Sequence, residues 1–237
     1  FNNTMDGFVN INKPTGITSY DVIRFLKRTF GIKEKIGHTG TLDPLATGVL
    51  IVCLGKATKH APLFLAMEKE YHATMQLGIT TDTDDITGKM LAQNTWEKIT
   101  PQQIEHAMGR FKGTIRQVPP MVSAIRVGGT RLYKLHRKGK KISVPEKTVT
   151  IHALEITSIA PPVITFRVVC SRGTYIRALC RDIGAVLGCG GTQTALTRTR
   201  VGPFTLDRSV SLATIEHTGI SPHLISLGFA SQWKKTP

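Results

Sequence analysis

Acidic residues are scarce in this chain of 237 residues. It carries 16 Asp and Glu against 31 Lys and Arg, which gives a formal net charge of +15. Such an excess of positive charge predicts a polyanionic partner, with nucleic acid as the first candidate and an anionic membrane surface as the second. A membrane-binding protein would need a basic amphipathic helix with large apolar residues on its other face. The sequence contains no such helix, so we predict nucleic acid as the partner and no membrane contact.

Long apolar runs are also missing. No segment is apolar over the length that crosses a bilayer, and the N-terminal region has no stretch that resembles a signal peptide. The four cysteines are Cys53, Cys170, Cys180 and Cys189, and no two of them form a C-x-x-C pair. Their apolar or helical surroundings favour buried, reduced thiols over disulfides or a zinc site. We therefore expect a cytoplasmic protein.

Motifs that hold cofactors or metals are absent. There is no P-loop, and the glycine-rich segment 187–191 follows a predicted helix, which is the wrong context for binding a dinucleotide. The H-x-E and P-C-x-x-C motifs of zinc base deaminases do not occur. Residues 82–88 (DTDDITG) have the composition of a calcium loop but not its spacing, because Gln93 stands where the loop needs Glu. We predict a turn with internally satisfied Asp side chains there, and no metal or cofactor.

Hydrophobic periodicity predicts a mixture of strands and helices. The predicted strands cover residues 7–12, 49–54, 70–77, 149–159, 163–170 and 195–205. The predicted helices cover residues 18–30, 56–65, 101–111, 174–187 and 212–217. The first helix should begin with a capping box formed by Thr18 and Asp21. Because strands and helices do not alternate regularly, we expect an α+β fold with a mixed, largely antiparallel sheet flanked by helices.

Residues 119–147 differ from the rest of the chain, since they are poor in apolar residues and heavily positive. Paired prolines and a Gly128-Gly129 turn predict an inserted hairpin or loop. Clustered cations displace counterions from phosphates, and interleaved aromatic side chains can stack on bases. A solvated charged loop is the simpler alternative. The residues predicted to contact a nucleic-acid backbone are Arg131, Lys134, Arg137, Lys138, Lys140 and Lys141.

A single carboxylate stands in the glycine- and threonine-rich segment 37–50 (GHTGTLDPLATGVL). Pro44 keeps Asp43 out of the helical region, and the glycines permit close approach of another molecule. A lone acid held at a fixed angle by a loop that is anchored on a strand suits a carboxylate nucleophile. The alternative is a structural turn in which Asp43 bonds to its own backbone.

A second candidate stretch, residues 171–177 (SRGTYIR), joins a predicted strand to a predicted helix. Arg177 falls in the first turn of that helix, where a cation opposes the helix dipole. A partner carboxylate or phosphate would compensate for this unfavourable placement. An ordinary surface arginine is the alternative.

Together these motifs resemble the TruB family of tRNA pseudouridine synthases. Segment 37–50 is similar to the family's signature, and residues 11–16 (INKPTG) resemble its N-terminal motif. Residues 69–71 and 171–177 resemble its second and third motifs, and Leu196 with Arg198 resembles the segment that closes the uridine pocket. The resemblance extends over roughly residues 7–210, with the motifs in the family's order.

The resemblance implies an isomerase that converts uridine 55 in the T arm of tRNA to pseudouridine on a flipped-out base, without a cofactor. Asp43 would be the nucleophile, whether it attacks C1′ of the sugar, attacks C6 of the base or acts through a glycal. Tyr71 and Arg177 complete the implied catalytic set, with Arg177 keeping Asp43 charged. The implied substrate-binding residues are His38, Tyr71, Tyr175, Leu196 and Lys13.

The resemblance also implies a domain organisation. Residues 1–210 would form the catalytic domain, with 119–147 as a thumb loop that clamps the T stem-loop of tRNA. Residues 211–237 would be a remnant or the start of a reduced RNA-binding domain. We expect a monomer without an obligatory protein partner. The competing hypothesis is a non-catalytic tRNA-binding protein or chaperone that retains the uridine pocket.

Overall fold

The computed structural model describes residues 5–123, 126–127, 130–132 and 143–233. The strands are β1 (Gly7–Lys13), β2 (Ile36–His38), β3 (Thr47–Leu54), β4 (Lys69–Leu77), β5 (Ile79–Thr81), β6 (Met90–Gln93), β7 (Gly113–Gln117), β8 (Arg126–Val127), β9 (Thr130–Arg131), β10 (Lys147–Ala160), β11 (Val163–Cys170), β12 (Gly191–Val201), β13 (Phe204–Thr205) and β14 (Val210–Ser211). The helices are α1 (Ser19–Phe30), α2 (Ala61–Ala66), α3 (Pro101–Gly109), α4 (Ile176–Val186), α5 (Leu212–Thr218) and α6 (Gly228–Ser231). Two 3₁₀ helices cover Gly55–His60 and Ser221–His223.

The chain divides into two compact units. The first unit contains the residues up to Tyr71 and those from Thr197 onward, and the second unit is His72–Leu196. Both boundaries fall inside strands, namely β4 and β12.

In the first unit the strands lie in the order β14-β1-β3-β12. Strands β1 and β3 pair antiparallel along their whole length, from Gly7 opposite Leu54 to Lys13 opposite Gly48. Strand β14 pairs with β1 in parallel, and the end of β12 pairs with β3 in parallel. Lys13 and Gly48 therefore lie side by side, directly after the loop that carries Asp43.

Strand β3 is apolar without alternation because both of its faces are covered. On one face Leu50 and Val52 pack in a cluster with Val22 and Leu26 of α1. On the other face the cluster includes Ile51 together with other buried apolar side chains. That second cluster contains Phe8, Val49, Ile51, Cys53, Ala57, Phe64, Val201, Phe204 and Ala230. The predicted strand at 49–54 is confirmed, and its start two residues earlier brings Gly48 into the sheet.

Helix α1 begins as its sequence predicts. The Thr18 side chain accepts a hydrogen bond from the backbone of Asp21, and the Asp21 carboxylate accepts one from the backbone of Thr18. This capping box satisfies two of the amide groups that a helix start leaves without partners. Gly31 ends the helix in the left-handed conformation that favours glycine.

In the second unit the strands lie in the order β12-β4-β11-β10-β7. Strands β10 and β11 pair antiparallel, as do β10 and β7. Strands β5 and β6 form a separate antiparallel pair. Strand β4 alternates as predicted, with Tyr71, Ala73, Met75 and Leu77 buried. The predicted α+β fold with a largely antiparallel sheet is confirmed.

Several predicted boundaries need correction. The single helix expected at 56–65 is a 3₁₀ helix followed by α2, and helices α3 and α4 are each shorter than expected. The strand expected at 195–205 begins earlier, at Gly191, and is interrupted after Val201. Gly202 has a φ of 50°, and the turn it makes lets β13 fold back antiparallel on β12.

Part of the insertion predicted at 119–147 falls within the described residues. The short strands β8 and β9 pair antiparallel on either side of the predicted glycine turn. Of the residues predicted to contact a nucleic-acid backbone, Arg131 belongs to β9. The others, Lys134, Arg137, Lys138, Lys140 and Lys141, lie outside the described residues.

Candidate active site

Asp43 lies in the loop of residues 39–46 between β2 and β3, which we call the Asp43 loop. The residue is partly exposed, and its carbonyl accepts a hydrogen bond of 3.0 Å from the amide of Ala46. The loop begins with the amide of Thr39 bonded to the carbonyl of Ile51 at 3.0 Å. The Asp43 carboxylate is thus presented from a tight turn whose two ends are joined to strand β3.

Residues on both sides of Asp43 are tied to the segment that leads into α1. The Ser19 hydroxyl bonds to both the amide and the carbonyl of Leu42. The carbonyl of Pro44 accepts a bond of 2.8 Å from the amide of Gly16. The N-terminal motif and the Asp43 signature, which are distant in sequence, therefore form one hydrogen-bonded structure.

Lys13 ends β1 and is fully buried. Its ammonium donates to the carbonyls of Pro14 and Ile17, each at 2.7 Å. Burial lowers the pKa of Lys13 to about 8, and the negative charge of Asp43 opposes this shift. The ammonium and the Asp43 carboxylate are consequently close enough to interact electrostatically. The role of Lys13 in substrate binding stays a prediction.

His38 is the last residue of β2 and is partly buried. Burial lowers the pKa of His38, and the positive charge of Arg198 adds to the effect. The imidazole is therefore neutral at neutral pH. Its Nδ1 atom is buried, and no described residue forms a hydrogen bond to it.

Arg198, which the sequence indicated only as part of a motif, joins strand β3 to the Asp43 loop. It is 2% exposed, its Nε donates to the carbonyl of Val49 at 2.7 Å, and its Nη2 donates to the carbonyl of Gly40 at 3.0 Å. The backbone of Gly48 lies so close that an added Cβ would come within 2.2 Å of the Arg198 carbonyl oxygen. The glycines at 40 and 48 were the only sequence signal that another chain segment approaches here.

In the second unit, Tyr175 is the residue immediately before α4. The side-chain amide of Gln117 accepts from the Tyr175 amide at 3.1 Å and donates to the Tyr175 carbonyl at 3.3 Å. Gln117 is 1% exposed and stands at the end of β7, where the insertion begins. Gln117 was not predicted, because a lone Gln 58 residues from its partner carries no local signal.

Arg177 lies in the first turn of α4, as predicted, and is 3% exposed. Its guanidinium donates to the carbonyls of Thr83 and Val122, each at 2.8 Å, and stands 3.5 Å from a carboxylate oxygen of Asp85. It is therefore not the ordinary surface arginine that the sequence left open. Its pairing with Asp43 stays a prediction.

The remaining predicted site residues are nearly buried. Tyr71, in β4, and Leu196, in β12, are each 8% exposed. Their predicted roles beside a bound uridine are not tested by these positions. Within the first unit the structure brings together four of these residues, namely Lys13, His38, Asp43 and Arg198. In the second unit Tyr175 and Arg177 lie together at the start of α4.

Residues 82–88, which we call the Asp85 loop, form the predicted turn with satisfied Asp side chains. The Asp85 carboxylate accepts from the Thr83 hydroxyl and the Thr87 amide, each at 3.0 Å. Asp84 adopts a φ of 60° and pairs with Arg181 at 2.8 Å. Burial raises the pKa of Asp84, and the nearby arginine charges oppose the change. These carboxylates serve the local structure.

Among the residues that the structure describes, no group of His, Cys, Asp and Glu is arranged to hold a metal ion. The same residues include no helix that is both long and apolar enough to span a membrane.

Comparison with known proteins assigns the chain to a family. The model of the TruB family pseudouridylate synthase N-terminal domain matches residues 27–176, and that of the tRNA pseudouridylate synthase B C-terminal domain matches residues 177–221. The chain is 44% identical to tRNA pseudouridine synthase B of Clostridium tetani, over 93% of this chain and 76% of the relative. It is 48% identical to the protein of the same name from Clostridium novyi, over 94% of this chain and 76% of the relative.

A solved structure shares the fold. A chain in the crystal structure of a Cbf5-Nop10-Gar1 complex superposes with a TM-score of 0.71 at 32% identity. The match covers 91% of this chain and 55% of that one, so the chain spans about half the length of the solved structure. With family models over residues 27–221 and relatives above 40% identity along nine-tenths of its length, the chain belongs to the TruB family of pseudouridylate synthases.

Proposed function

We propose that this protein isomerises uridine 55 in the T arm of tRNA to pseudouridine, with Asp43 as the nucleophile. The observation that carries the proposal is the family match, which includes the Asp43 loop and extends to relatives named tRNA pseudouridine synthase B. The loop geometry supports it, because backbone hydrogen bonds hold the residues on both sides of Asp43.

The reaction moves a bond without a net change in oxidation state. The bond between C1′ and N1 of uridine breaks, a bond between C1′ and C5 forms, and the proton lost from C5 is balanced by the one gained at N1. A carboxylate nucleophile at C1′ or C6 would carry the reaction through a covalent intermediate. Asp is already ionised at neutral pH, so the protein must position Asp43 accurately and has no need to activate it.

The family resemblance implies roles for the other predicted residues. The target base must leave its stack, which costs a few kcal/mol. Tyr71 would stack on the flipped base and take part in proton transfer at C5. Tyr175 and Leu196 would line the uridine pocket, and neutral His38 would contact the RNA near the vacated stack. The buried guanidinium of Arg177 would keep the nucleophile charged in a closed pocket.

The charge of the protein supports tRNA as the substrate. A formal net charge of +15 favours binding to phosphates, and the basic segment 131–141 would clamp the T stem-loop. We propose that the protein acts as a monomer. The alternative function is tRNA binding without catalysis, and it differs from the first in one respect: it does not need the Asp43 carboxylate.

The test uses unmodified tRNA transcript with three proteins: wild type, Asp43→Asn and the control Asp207→Asn, which alters an exposed acid. Pseudouridine at position 55 is detected by carbodiimide labelling and primer extension. We expect modification by wild type and by Asp207→Asn, and a loss of at least about 1,000-fold for Asp43→Asn. Equal modification by Asp43→Asn would remove Asp43 as nucleophile. Tight tRNA binding without modification by wild type would favour the non-catalytic alternative.

A further inference from the structure

Ser19 holds the residue that precedes Asp43 by two hydrogen bonds. The Leu42 amide donates to the Ser19 hydroxyl at 2.8 Å, and the hydroxyl donates to the Leu42 carbonyl at 3.0 Å. Ser19 is 1% exposed and Leu42 is 3% exposed, so water does not substitute for these bonds. A hydroxyl has a single proton to donate, and here that proton is directed at the Leu42 carbonyl.

These two bonds restrict the backbone on the N-terminal side of Asp43. Both polar groups of Leu42 are bonded to one atom of α1, which limits rotation about the Leu42 dihedral angles. On the C-terminal side the carbonyl of Pro44 is bonded to the amide of Gly16 at 2.8 Å. The Cα of Asp43 is therefore held from both directions, which fixes the point from which its side chain extends.

We propose that Ser19 is a positioning residue for Asp43, acting through Leu42. The proposal rests on the function proposed above. A nucleophile displaced by about 1 Å can lose about 100-fold in rate even when substrate binding is unchanged. Ser19 touches neither the substrate nor the reacting carboxylate in this role. Its removal should lower the rate of the chemical step and leave tRNA affinity almost unaltered.

Thr18 offers a matched control in the adjacent position. It also carries a hydroxyl at the start of α1, but its side chain accepts from the amide of Asp21 and so caps the helix. Replacing such a cap by Ala typically costs about 1 kcal/mol of stability. Thr18→Ala therefore reproduces the loss of a hydroxyl and the weakening of α1 without removing the bonds to Leu42.

The experiment compares wild type, Ser19→Ala and Thr18→Ala under single-turnover conditions with tRNA transcript, well below the melting temperature of each protein. We expect the rate of pseudouridine formation to fall about 10- to 100-fold for Ser19→Ala, with the tRNA Kd within about 2-fold of wild type. For Thr18→Ala we expect a rate within about 2-fold of wild type despite a lower melting temperature. Equal rates for the two variants would overturn the proposal.

Two additions keep the test decisive. Ser19→Cys keeps the shape of the side chain with a somewhat larger atom that forms only weak hydrogen bonds, so it tests the proposal if Ser19→Ala does not fold. An unchanged rate for Ser19→Cys would overturn the proposal, and a reduced rate supports it. Hydrogen exchange at the Leu42 amide gives a readout besides activity, with faster exchange expected in both Ser19 variants. If wild type forms no pseudouridine, the proposed function fails and the positioning role fails with it.

Discussion

The Asp43 loop and the Asp85 loop have similar lengths and two threonines each, yet they are stabilised differently. In the Asp43 loop, side chains from outside the loop bond to its backbone: Ser19 bonds to Leu42, and Arg198 bonds to Gly40. In the Asp85 loop, Arg177 also donates to the Thr83 carbonyl from outside, but the loop's own carboxylates accept the bonds that close the turn.

This difference bears on which acids are suited to chemistry. An acid whose oxygens close a turn cannot be replaced without loosening that turn, and it accepts bonds that compete with any substrate. Asp43 is positioned through its backbone neighbours, so those contacts persist whatever its side chain does. The Asp43 loop holds one acid and the Asp85 loop holds three, and the bonds of Ser19 and Arg198 to the backbone of the Asp43 loop do not depend on its acid.

The largest loss of stability should come from adding a side chain at Gly48, in β3 just after the Asp43 loop. Gly48 has a φ of 99°, and an added Cβ would lie 2.2 Å from the Arg198 carbonyl oxygen, which is backbone and cannot move aside. We expect Gly48→Ala to lower the free energy of unfolding by at least about 4 kcal/mol. The control is Gly16→Ala, where φ is 84° but no atom lies within 4 Å. There we expect about 1–2 kcal/mol, from backbone strain alone.

Urea unfolding of both glycine variants measures this difference. If the two variants lost the same stability, strain at positive φ would explain both. The close approach of Arg198 would then contribute nothing to the support of the Asp43 loop.

A direct comparison of the two loops replaces one carboxylate in each. Asp85→Asn removes the charge that faces buried Arg177 at 3.5 Å and disturbs the bonds of Thr83 and Thr87. We expect it to lower the free energy of unfolding by about 3 kcal/mol. Asp43→Asn leaves the bonds of Ser19 and Gly16 to its loop in place but removes the charge that acts on buried Lys13, so we expect a loss smaller than that of Asp85→Asn. Denaturation in urea under one buffer tests both, and a larger loss for Asp43→Asn would reverse the comparison.

The free energy of unfolding should also depend on pH through Lys13, whose charge interacts with Asp43. Burial lowers the pKa of Lys13 from 10.5 to about 8 in the folded protein. Between these values the unfolded chain retains a proton that the folded protein has released, so stability from this group rises with pH. We expect wild type to gain stability relative to Lys13→Met from pH 8 to 10.5, and the two curves to run parallel below pH 8.

Thermal unfolding over this pH range measures the effect. Lys27→Met serves as control, because Lys27 is exposed on α1 and should show no such divergence from wild type. If the stability of wild type fell with rising pH relative to Lys13→Met, burial would not control the pKa of Lys13.

Much of the fold could be predicted from the sequence because its signals are local. The capping box of α1 needs only Thr18 and Asp21, three residues apart, and the alternation of β4 needs only the pleat of one strand. Boundaries were less accurate where a single residue decides them. Gly202 interrupts β12 with a turn that the apolar pattern continues through.

The site was predicted only in part for the same reason. Asp43 and Arg177 were proposed as site residues because each lies in a distinctive local motif, and the Asp85 loop was correctly predicted to be a structural turn. Ser19, Arg198 and Gln117 were not singled out. Their partners are 23, 149 and 58 residues away in sequence, so no spacing along the chain indicates the contacts.

The sequence by itself determined the α+β class and the family and indicated Asp43 as the candidate nucleophile, because strand and helix periods, caps and motifs are encoded within a few neighbouring residues. Only the tertiary structure decided how that acid is supported. The hydrogen bonds from Ser19 and Arg198 to the Asp43 loop depend on the sheet, which places β1, β3 and the end of β12 side by side. Burial then sets the pKa of Lys13, a property of its surroundings that a residue's identity does not contain.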